Sequence, residues 1–251
     1  MNLEHYFYNN QDRLIHKWTH YFEIYEDLFS RFKGKKINIL EIGLFQGGSI
    51  QMWQNYFGND MHYFGVDINP NCKKFEDKNV TVFIGSQTDE DFLKILVETL
   101  PQIDIIIDDG GHMMDQQILT FKYLYKLINE DGIYLCEDLC TSYWSEYGGG
   151  YKKKSTFIEF AKLHIDKQNA FYSKTVLLKP DDFTYSNYSI TFYDGIIAFH
   201  KKKRRKKPES LQRGKRYFKP EDDYKPVFLK EKVSLLDKLH KLYIKLRYFN
   251  N

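Results

Sequence analysis

Apolar and polar positions between residues 37 and 138 form a pattern typical of strands that alternate with helices. Five short apolar runs predict buried strands at residues 37–43, 62–68, 79–86, 103–108 and 132–138. The segments between these runs predict helices, for example 46–57, 89–100 and 113–128, and the second of these is clearly amphipathic. Strict alternation of strand and helix predicts a doubly wound α/β fold with parallel strands.

The flanking regions follow other patterns. Residues 4–33 carry apolar side chains at spacings of three and four and predict a helix that ends at Gly34. After residue 150 the sequence predicts a helix over 155–168, a strand at 175–180 and a strand pair in 189–201. The pair is separated by Tyr-Asp-Gly, a hairpin turn signal, so the sheet is expected to end in antiparallel strands.

The net charge of +3 is unevenly distributed along the chain. Residues 1–200 carry a net charge of −9, and residues 201–251 carry +12. These values and the hydrophobic pattern predict an N-terminal helical segment (1–35), an α/β domain (36–200) and a basic tail (201–251) with an amphipathic helix at about 228–247. The tail is compatible with nucleic acid, an anionic membrane surface or a solvated linker. Its helix is compatible with packing on the body or with a homo-oligomer.

The cysteine content and the hydropathy indicate a cellular setting. No apolar run approaches the ~18 residues that span a bilayer, and the polar N-terminus does not resemble a signal peptide. Cys72, Cys136 and Cys140 fit neither a disulfide framework nor a zinc motif. The sequence therefore predicts a reducing, cytoplasmic location, with peripheral contact at the inner membrane surface left open through the basic tail.

The stretch LEIGLFQGGS, residues 40–49, predicts a strand, a glycine-rich turn and the start of a helix. Glycine lets the backbone approach a ligand, and a helix N-terminus favours an anion or a carboxylate. The spacing differs from the dinucleotide pattern and lacks a phosphate-binding lysine. Asp67, which ends the second strand, is placed to accept both hydroxyls of a ribose. The alternative is that Gly43 only turns the chain and Asp67 only caps a helix.

These features together resemble class I S-adenosylmethionine-dependent methyltransferases over residues 36–200. The resemblance implies a Rossmann-like, seven-stranded sheet that is mostly parallel with an antiparallel terminal pair. It also implies that the glycine motif holds the methionine end of the cofactor, Asp67 the ribose, and a polar stretch after the third strand the adenine. The cofactor-binding candidates are Glu41, Gly43, Gly47, Ser49, Asp67, Ser86, Gln87, Asp89 and Asp108.

Two predicted strands that lie side by side both end in acidic residues. Because adjacent strands are ~4.8 Å apart, Asp109, Glu137 and Asp138 are expected to converge at one edge of the sheet. Carboxylates this close repel unless a cation lies between them, and oxygen ligands suit Mg²⁺ first, with Mn²⁺ or Ca²⁺ as alternatives. Asp108 is expected to face the cofactor, because successive strand residues point to opposite sides. The alternative is that the acids cap the following helices.

His112 follows Asp109 by three residues and is a candidate general base, because its unperturbed pKa of ~6.5 lets it accept a proton at neutral pH. The alternative is a solvated loop histidine. The stretches DDGGH, ED, TSYW and YGGG, with HKWTHYFEIYEDLF at 16–29, resemble metal-dependent macrolide sugar O-methyltransferases and the cephalosporin-hydroxylase-like group. That resemblance implies Asp109, Glu137 and Asp138 as metal ligands and His112 as the base. The basic tail departs from the pattern of the macrolide enzymes.

The glycine-rich loop at 140–155 is predicted to lie beside the site, where Tyr143 and Trp144 contact a substrate or close over the cofactor. The alternative is a surface loop with two anchoring aromatic side chains. The sequence therefore predicts an S-adenosylmethionine-dependent, Mg²⁺-assisted O-methyltransferase for a hydroxyl of a sugar, glycoconjugate or small-molecule natural product, with a setting in polysaccharide biosynthesis. The alternatives are a nucleic-acid methyltransferase guided by the tail, which the lack of an Asn-Pro-Pro-Tyr motif disfavours, and a non-enzymatic adaptor.

Overall fold

A computed structural model of the protein describes residues 2–203 and 206–219. In this part of the chain the strands are β1 (Ile37–Ile42), β2 (Met61–Asp67), β3 (Val80–Ile84), β4 (Ile103–Asp108), β5 (Ile128–Cys136), β6 (Asn187–Phe192) and β7 (Ile197–Lys201). The helices are α1 (Leu3–Tyr8), α2 (Tyr21–Phe29), α3 (Gly48–Phe57), α4 (Glu90–Thr99), α5 (Met114–Leu124), α6 (Phe157–Gln168) and α7 (Asp182–Ser186). Short 3₁₀ helices lie between several of these elements. One of them, Leu139–Tyr143, follows β5.

The seven strands form one sheet in the order β3-β2-β1-β4-β5-β7-β6. The first five are parallel, and β7 runs antiparallel to both β5 and β6. The predicted doubly wound sheet with an antiparallel terminal pair is therefore confirmed. The strand order reverses between β1 and β4, and a ligand of such a sheet binds beyond the carboxyl ends of the strands at this point.

Two hydrophobic cores hold the helices on the two faces of the sheet. One core joins α1, α2 and α3 to residues such as Ile39, Ile105 and Leu135. The other joins α4, α5 and α6 to residues such as Leu40 and Ile106. Because the side chains of a strand alternate between faces, the near-continuous apolar runs of β1 and β4 supply both cores.

The predicted continuous helix over 4–33 is wrong, because the chain is not helical between Asn9 and His20. Asn9 ends α1, and its side-chain amide donates to the His5 carbonyl at 2.8 Å. The Asn10 amide donates to the carbonyl of Arg13, also at 2.8 Å. Such local side-chain bonds compete with helix formation. The apolar residues at helical spacing therefore lie on two separate helices, α1 and α2, and residues 10–20 form an irregular connection between them.

The predicted strand at 175–180 is also wrong. Val176 is 80% exposed and Leu177 53% exposed, and the segment pairs with no strand of the described chain. A strand gains stability from paired neighbours and a buried face, which these residues lack. The pair predicted in 189–201 is confirmed, with β6 and β7 joined through Asp194 and Gly195.

Residues 1–208 form one compact unit, so the N-terminal segment and the α/β domain share their cores. The second unit begins at Glu209, and its described part, 209–219, contains a ring pair between Tyr217 and Phe218. The amphipathic helix predicted at about 228–247 lies outside the described residues. Within the described part, the structure has no helix that is long and apolar enough to cross a membrane.

Replacing Phe29 with Ala is expected to destabilise the fold by about 3–5 kcal/mol, because it opens a cavity among packed rings. Phe29 is fully buried and packs on Trp53 and Phe57 of α3 with ring centroids 5.9 and 6.3 Å apart. Chemical denaturation of the full chain measures the effect. Tyr8→Ala is the control, since Tyr8 is 62% exposed in the same N-terminal segment. An equal, small loss for both variants would contradict the shared core.

Candidate active site

The glycine turn after β1 lies directly against the loop that follows β4. Gly43 has a φ of +92°, and a Cβ on it would lie 2.1 Å from the Asp109 carbonyl oxygen. Its amide donates to the Val66 carbonyl at 2.8 Å. A side chain at this position would be strained and would also collide with backbone. The glycine therefore allows the ends of β1, β2 and β4 to meet.

Asp67 connects this turn to the end of β2. Its Oδ2 accepts hydrogen bonds from the amides of Leu44 at 2.8 Å and Phe45 at 3.1 Å, and its Oδ1 accepts from the Asn69 amide at 2.8 Å. A carboxylate oxygen has two lone pairs, so Oδ1 retains acceptor capacity. Asp67 therefore both fixes the glycine turn and presents an acceptor at the cavity beside it.

A cavity of about 510 Å³ opens above the carboxyl ends of the strands, within the size range of small-molecule sites. Seven of the predicted site residues line it: Gly43, Asp67, Ser86, Gln87, Asp109, His112 and Asp138. His16, Asn69 and Gln116, which the sequence analysis did not select, also line it. The structure thus brings the predicted cofactor-binding turn and two of the predicted metal ligands, Asp109 and Asp138, to one cavity.

Five predicted cofactor-binding residues do not line this cavity: Glu41, Gly47, Ser49, Asp89 and Asp108. Glu41 is fully buried and accepts hydrogen bonds from Ser49 Oγ at 2.8 Å, from Trp53 Nε1 at 3.4 Å and from the Tyr63 hydroxyl. Gly47 and Asp89 are the N-caps of α3 and α4. The direct contact of these five residues with a cofactor stays a prediction.

Asp108 and Gln87 form a buried pair beneath the loop at 109–112. Asp108 accepts from Gln87 Nε2 at 2.8 Å and from the Tyr134 hydroxyl at 2.9 Å, and burial raises its pKa to about 7. Gln87 Oε1 accepts from the Gly111 amide at 2.9 Å. The pair therefore holds the loop that carries Asp109 and His112 in place.

The acidic cluster lies where β4 and β5 end side by side. The buried ammonium of Lys17 lies between two of its members, with Nζ 2.5 Å from Asp109 Oδ2 and 2.8 Å from Glu137 Oε2. The Tyr25 hydroxyl donates to Glu137 Oε1 at 2.7 Å. Burial alone would lower the pKa of Lys17, but Asp109 and Glu137 outweigh burial and hold this pKa well above its usual value. Lys17 is thus a charged ammonium.

His112 and Asp138 form the face of the cluster that is turned to the cavity. His112 Nε2 lies 3.5 Å from Asp138 Oδ2 and 4.0 Å from Asp109 Oδ1. Both His112 and Asp138 have positive φ values, +57° and +54°, a strained conformation that recurs at active sites. Burial lowers the pKa of His112, although Asp138 opposes this effect. The imidazole is therefore neutral at pH 7 and available to accept a proton.

The cluster has the chemistry of a site for a hard cation, but its arrangement differs from the predicted ligand set. Ligand atoms of Asp109, His112 and Asp138 lie within 4.8 Å of one another. Glu137 is instead bonded to Lys17 and Tyr25. Burial raises the pKa of the Asp109 and Glu137 carboxyls, although Lys17 opposes this effect, and a bound divalent cation would favour their ionised forms. The residues present therefore fit a metal at Asp109 and Asp138, and the role of Glu137 as a ligand stays a prediction.

A smaller cavity of about 100 Å³ adjoins the cluster on its other side. It is lined by His16, Lys17, Trp18, Tyr21, Asp109, Glu137 and Asp138. Tyr21 donates to Asp138 Oδ1 at 3.0 Å and to the Gly195 carbonyl at 3.2 Å. The sequence analysis did not select these N-terminal residues, because it placed them in a continuous helix that precedes the α/β domain. The polar stretch Asn-Asn-Gln-Asp-Arg at 9–13 is the signal that interrupts that helix.

Tyr143 and Trp144 lie after β5 but line neither of these two cavities. Tyr143 is 56% and Trp144 42% exposed, and Trp144 contacts Tyr147 with ring centroids 5.8 Å apart. Their predicted contact with a substrate stays a prediction.

No protein-family model matches the chain. The chain is 34% identical over 160 residues to an 8-demethyl-8-alpha-L-rhamnosyl tetracenomycin-C 2'-O-methyltransferase of Streptomyces olivaceus, over 61% of this chain and 41% of the relative. It is 32% identical over 202 residues to an L-olivosyl-oleandolide 3-O-methyltransferase of Streptomyces antibioticus, over 73% of this chain and 49% of the relative. The chain thus spans less than half the length of both relatives.

The solved structures of MycE methyltransferase from the mycinamycin biosynthetic pathway have the same fold. The complex with Mg, SAH and mycinamycin VI matches with a TM-score of 0.69 at 23% identity, over 80% of this chain and 53% of MycE. The chain has the class I S-adenosylmethionine-dependent methyltransferase fold. Both relatives named above are O-methyltransferases by name.

Replacing Gly43 with Ala is expected to weaken binding of S-adenosylhomocysteine by at least about tenfold, because the added Cβ displaces the Asp109 carbonyl at the cavity wall. Isothermal titration calorimetry measures the affinity. Gly58→Ala is a matched control, since Gly58 has a φ of +94° but no atom within 4 Å of its would-be Cβ. Equal binding by the two variants would show that the Gly43 approach does not shape the site.

Proposed function

We propose that the protein is an S-adenosylmethionine-dependent O-methyltransferase that acts on a sugar hydroxyl of a glycosylated small molecule or glycoconjugate. The observation that carries the proposal is the shared cavity: Gly43 and Asp67 line it together with His112, Asp109 and Asp138. A cofactor site and a proton acceptor within one cavity are what methyl transfer to a hydroxyl requires. The homologues support the acceptor class, since the relatives named above methylate sugar hydroxyls according to their names.

In this proposal the binding residues act together on the cofactor. The glycine turn at Gly43 allows close approach of the methionine end, and Asp67 accepts hydrogen bonds from the ribose. Ser86 and Gln87 line the cavity near the end of β3. In this proposal they lie beside the adenine of the cofactor. The domain at 36–200 supplies all of these residues. The segment 1–35 adds His16 and Lys17, which lie beside the acidic cluster.

The chemistry follows from the position of His112. An acceptor hydroxyl beside His112 passes its proton to the neutral imidazole as its oxygen forms a bond to the methyl carbon of the cofactor. The S–CH₃ bond breaks, and its electron pair stays on sulfur, which leaves S-adenosylhomocysteine. The protein holds the two reactants in line, and the cavity walls limit the access of water.

Asp109 and Asp138 are the residues that would hold Mg²⁺ on the cavity side, with Glu137 as a third ligand once Lys17 withdraws. When bound, the ion makes a nearby hydroxyl more acidic. Asp138 is oriented for this by the Tyr21 hydroxyl, which donates to its other oxygen. MycE, which has this fold, was crystallised with Mg and SAH.

We propose a reducing, cytoplasmic setting and a role in polysaccharide or glycoconjugate biosynthesis. The three cysteines are free, two of them buried, which supports a protein built without disulfides. The basic residues that follow β7 in the sequence support contact with an anionic surface.

Replacing His112 with Gln is expected to lower the rate of methyl transfer by about 10²–10⁴-fold, because the proton acceptor is removed. Transfer of radiolabelled methyl groups to a panel of glycosides measures the rate, and calorimetry with S-adenosylhomocysteine shows whether the cofactor site is intact. His62→Gln is the control, since His62 is an exposed histidine of β2. Wild-type turnover by the His112 variant would rule out the assignment of the base.

A further inference from the structure

Lys17 is the most unusual group in the site, because a lysine is rarely buried. Its side chain is only 4% exposed, and its ammonium contacts one carboxylate at the end of β4 and one at the end of β5. Glu137, its partner directly after β5, is fully buried. A buried carboxylate without a partner is strongly destabilising, so Lys17 satisfies a requirement that the fold itself creates.

We propose that Lys17 is a built-in cation that competes with a divalent metal ion for Asp109 and Glu137, and thereby sets the metal affinity of the site. The proposal rests on the proposed function only in taking the acidic cluster as the metal-binding region. Lys17 is in this view a positioning residue that acts through the two carboxylates.

The hydrogen bonds of Glu137 show why the two cations exclude each other. Its Oε1 accepts from Tyr25, and its Oε2 accepts from Lys17, whose ammonium also lies 2.5 Å from Asp109 Oδ2. Asp109 turns its other oxygen, Oδ1, toward His112. A metal that binds both Glu137 Oε2 and Asp109 Oδ2 therefore has to take the place of the ammonium. A metal that leaves Lys17 in place has only Asp109 and Asp138 on the side of the larger cavity.

The chain around Lys17 allows the ammonium to move without unfolding the domain. Residues 10–20 are irregular, and Arg13 anchors them through its amide, which donates to Gln51 Oε1 at 3.2 Å. The cavity of about 100 Å³ that Lys17 itself lines offers room beside the carboxylates. The flexible four-carbon stem of lysine permits this displacement while the backbone stays fixed.

Calorimetric titration of the full chain with Mn²⁺, without cofactor or acceptor, tests the competition. Lys17→Met should bind Mn²⁺ at least about tenfold more tightly than the wild type, because the two carboxylates lose their resident cation. Lys17→Arg keeps the charge and should bind like the wild type. Lys94→Met is the matched control, since it removes the same charge from an exposed pair with Asp91. Equal or weaker binding by Lys17→Met would overturn the proposal.

Amine labelling of the wild type is a second measurement, and it does not require any variant to fold. Mass spectrometry should find Lys17 labelled much more slowly than Lys94 without metal, and faster once Mn²⁺ is added, because the displaced amine becomes accessible. An unchanged rate at Lys17 in the presence of Mn²⁺ would overturn the proposal. Binding of S-adenosylhomocysteine is measured separately and tests the proposed function. A failure of the proposed function can therefore be distinguished from a failure of the competition proposal.

Discussion

Three carboxylates at the ends of two adjacent strands repel each other and require positive charge, and the rest of the site depends on how the fold meets this requirement. The register of the sheet sets Asp108 of β4 beside Cys136 of β5, so the residues that follow, Asp109 and Glu137, emerge together. Lys17 reaches them from a segment more than ninety positions earlier in the sequence. The N-terminal segment is therefore part of the site, and its packing on α3 keeps the ammonium in reach.

The same edge of the sheet explains why the cavity adjoins the acids. The loop at 109–112 contacts the glycine turn on one side, through the close approach of Gly43 to the Asp109 carbonyl. On the other side Gln87 holds this loop from the end of β3. Any ligand that fills the cavity therefore lies against the loop that carries Asp109 and His112.

Much of this arrangement was predictable from the sequence. Short apolar runs predict the strands, and the carboxyl ends of parallel strands lie at the same edge of a sheet. That reasoning predicted that Asp109 and Asp138 converge at this edge, and the structure places them at one cavity with Gly43, Asp67 and His112. The reasoning failed for Lys17, because apolar residues at helical spacing lie on both sides of residues 9–20. The pattern therefore does not show that the helix is interrupted there. The same reasoning selected Glu41 and Asp89 as cofactor-binding residues, and the structure shows Glu41 in a buried hydrogen-bond network and Asp89 as a helix cap, so their contact with a cofactor stays a prediction.

The central claim is that the cofactor cavity and the acidic cluster form one active site. A crystal structure of the full chain with S-adenosylhomocysteine tests it most directly. We expect the ligand to fill the cavity with its ribose at Asp67 and its sulfur beside His112 and Asp138. A ligand bound elsewhere, or bound with its sulfur turned away from these acids, would contradict the account.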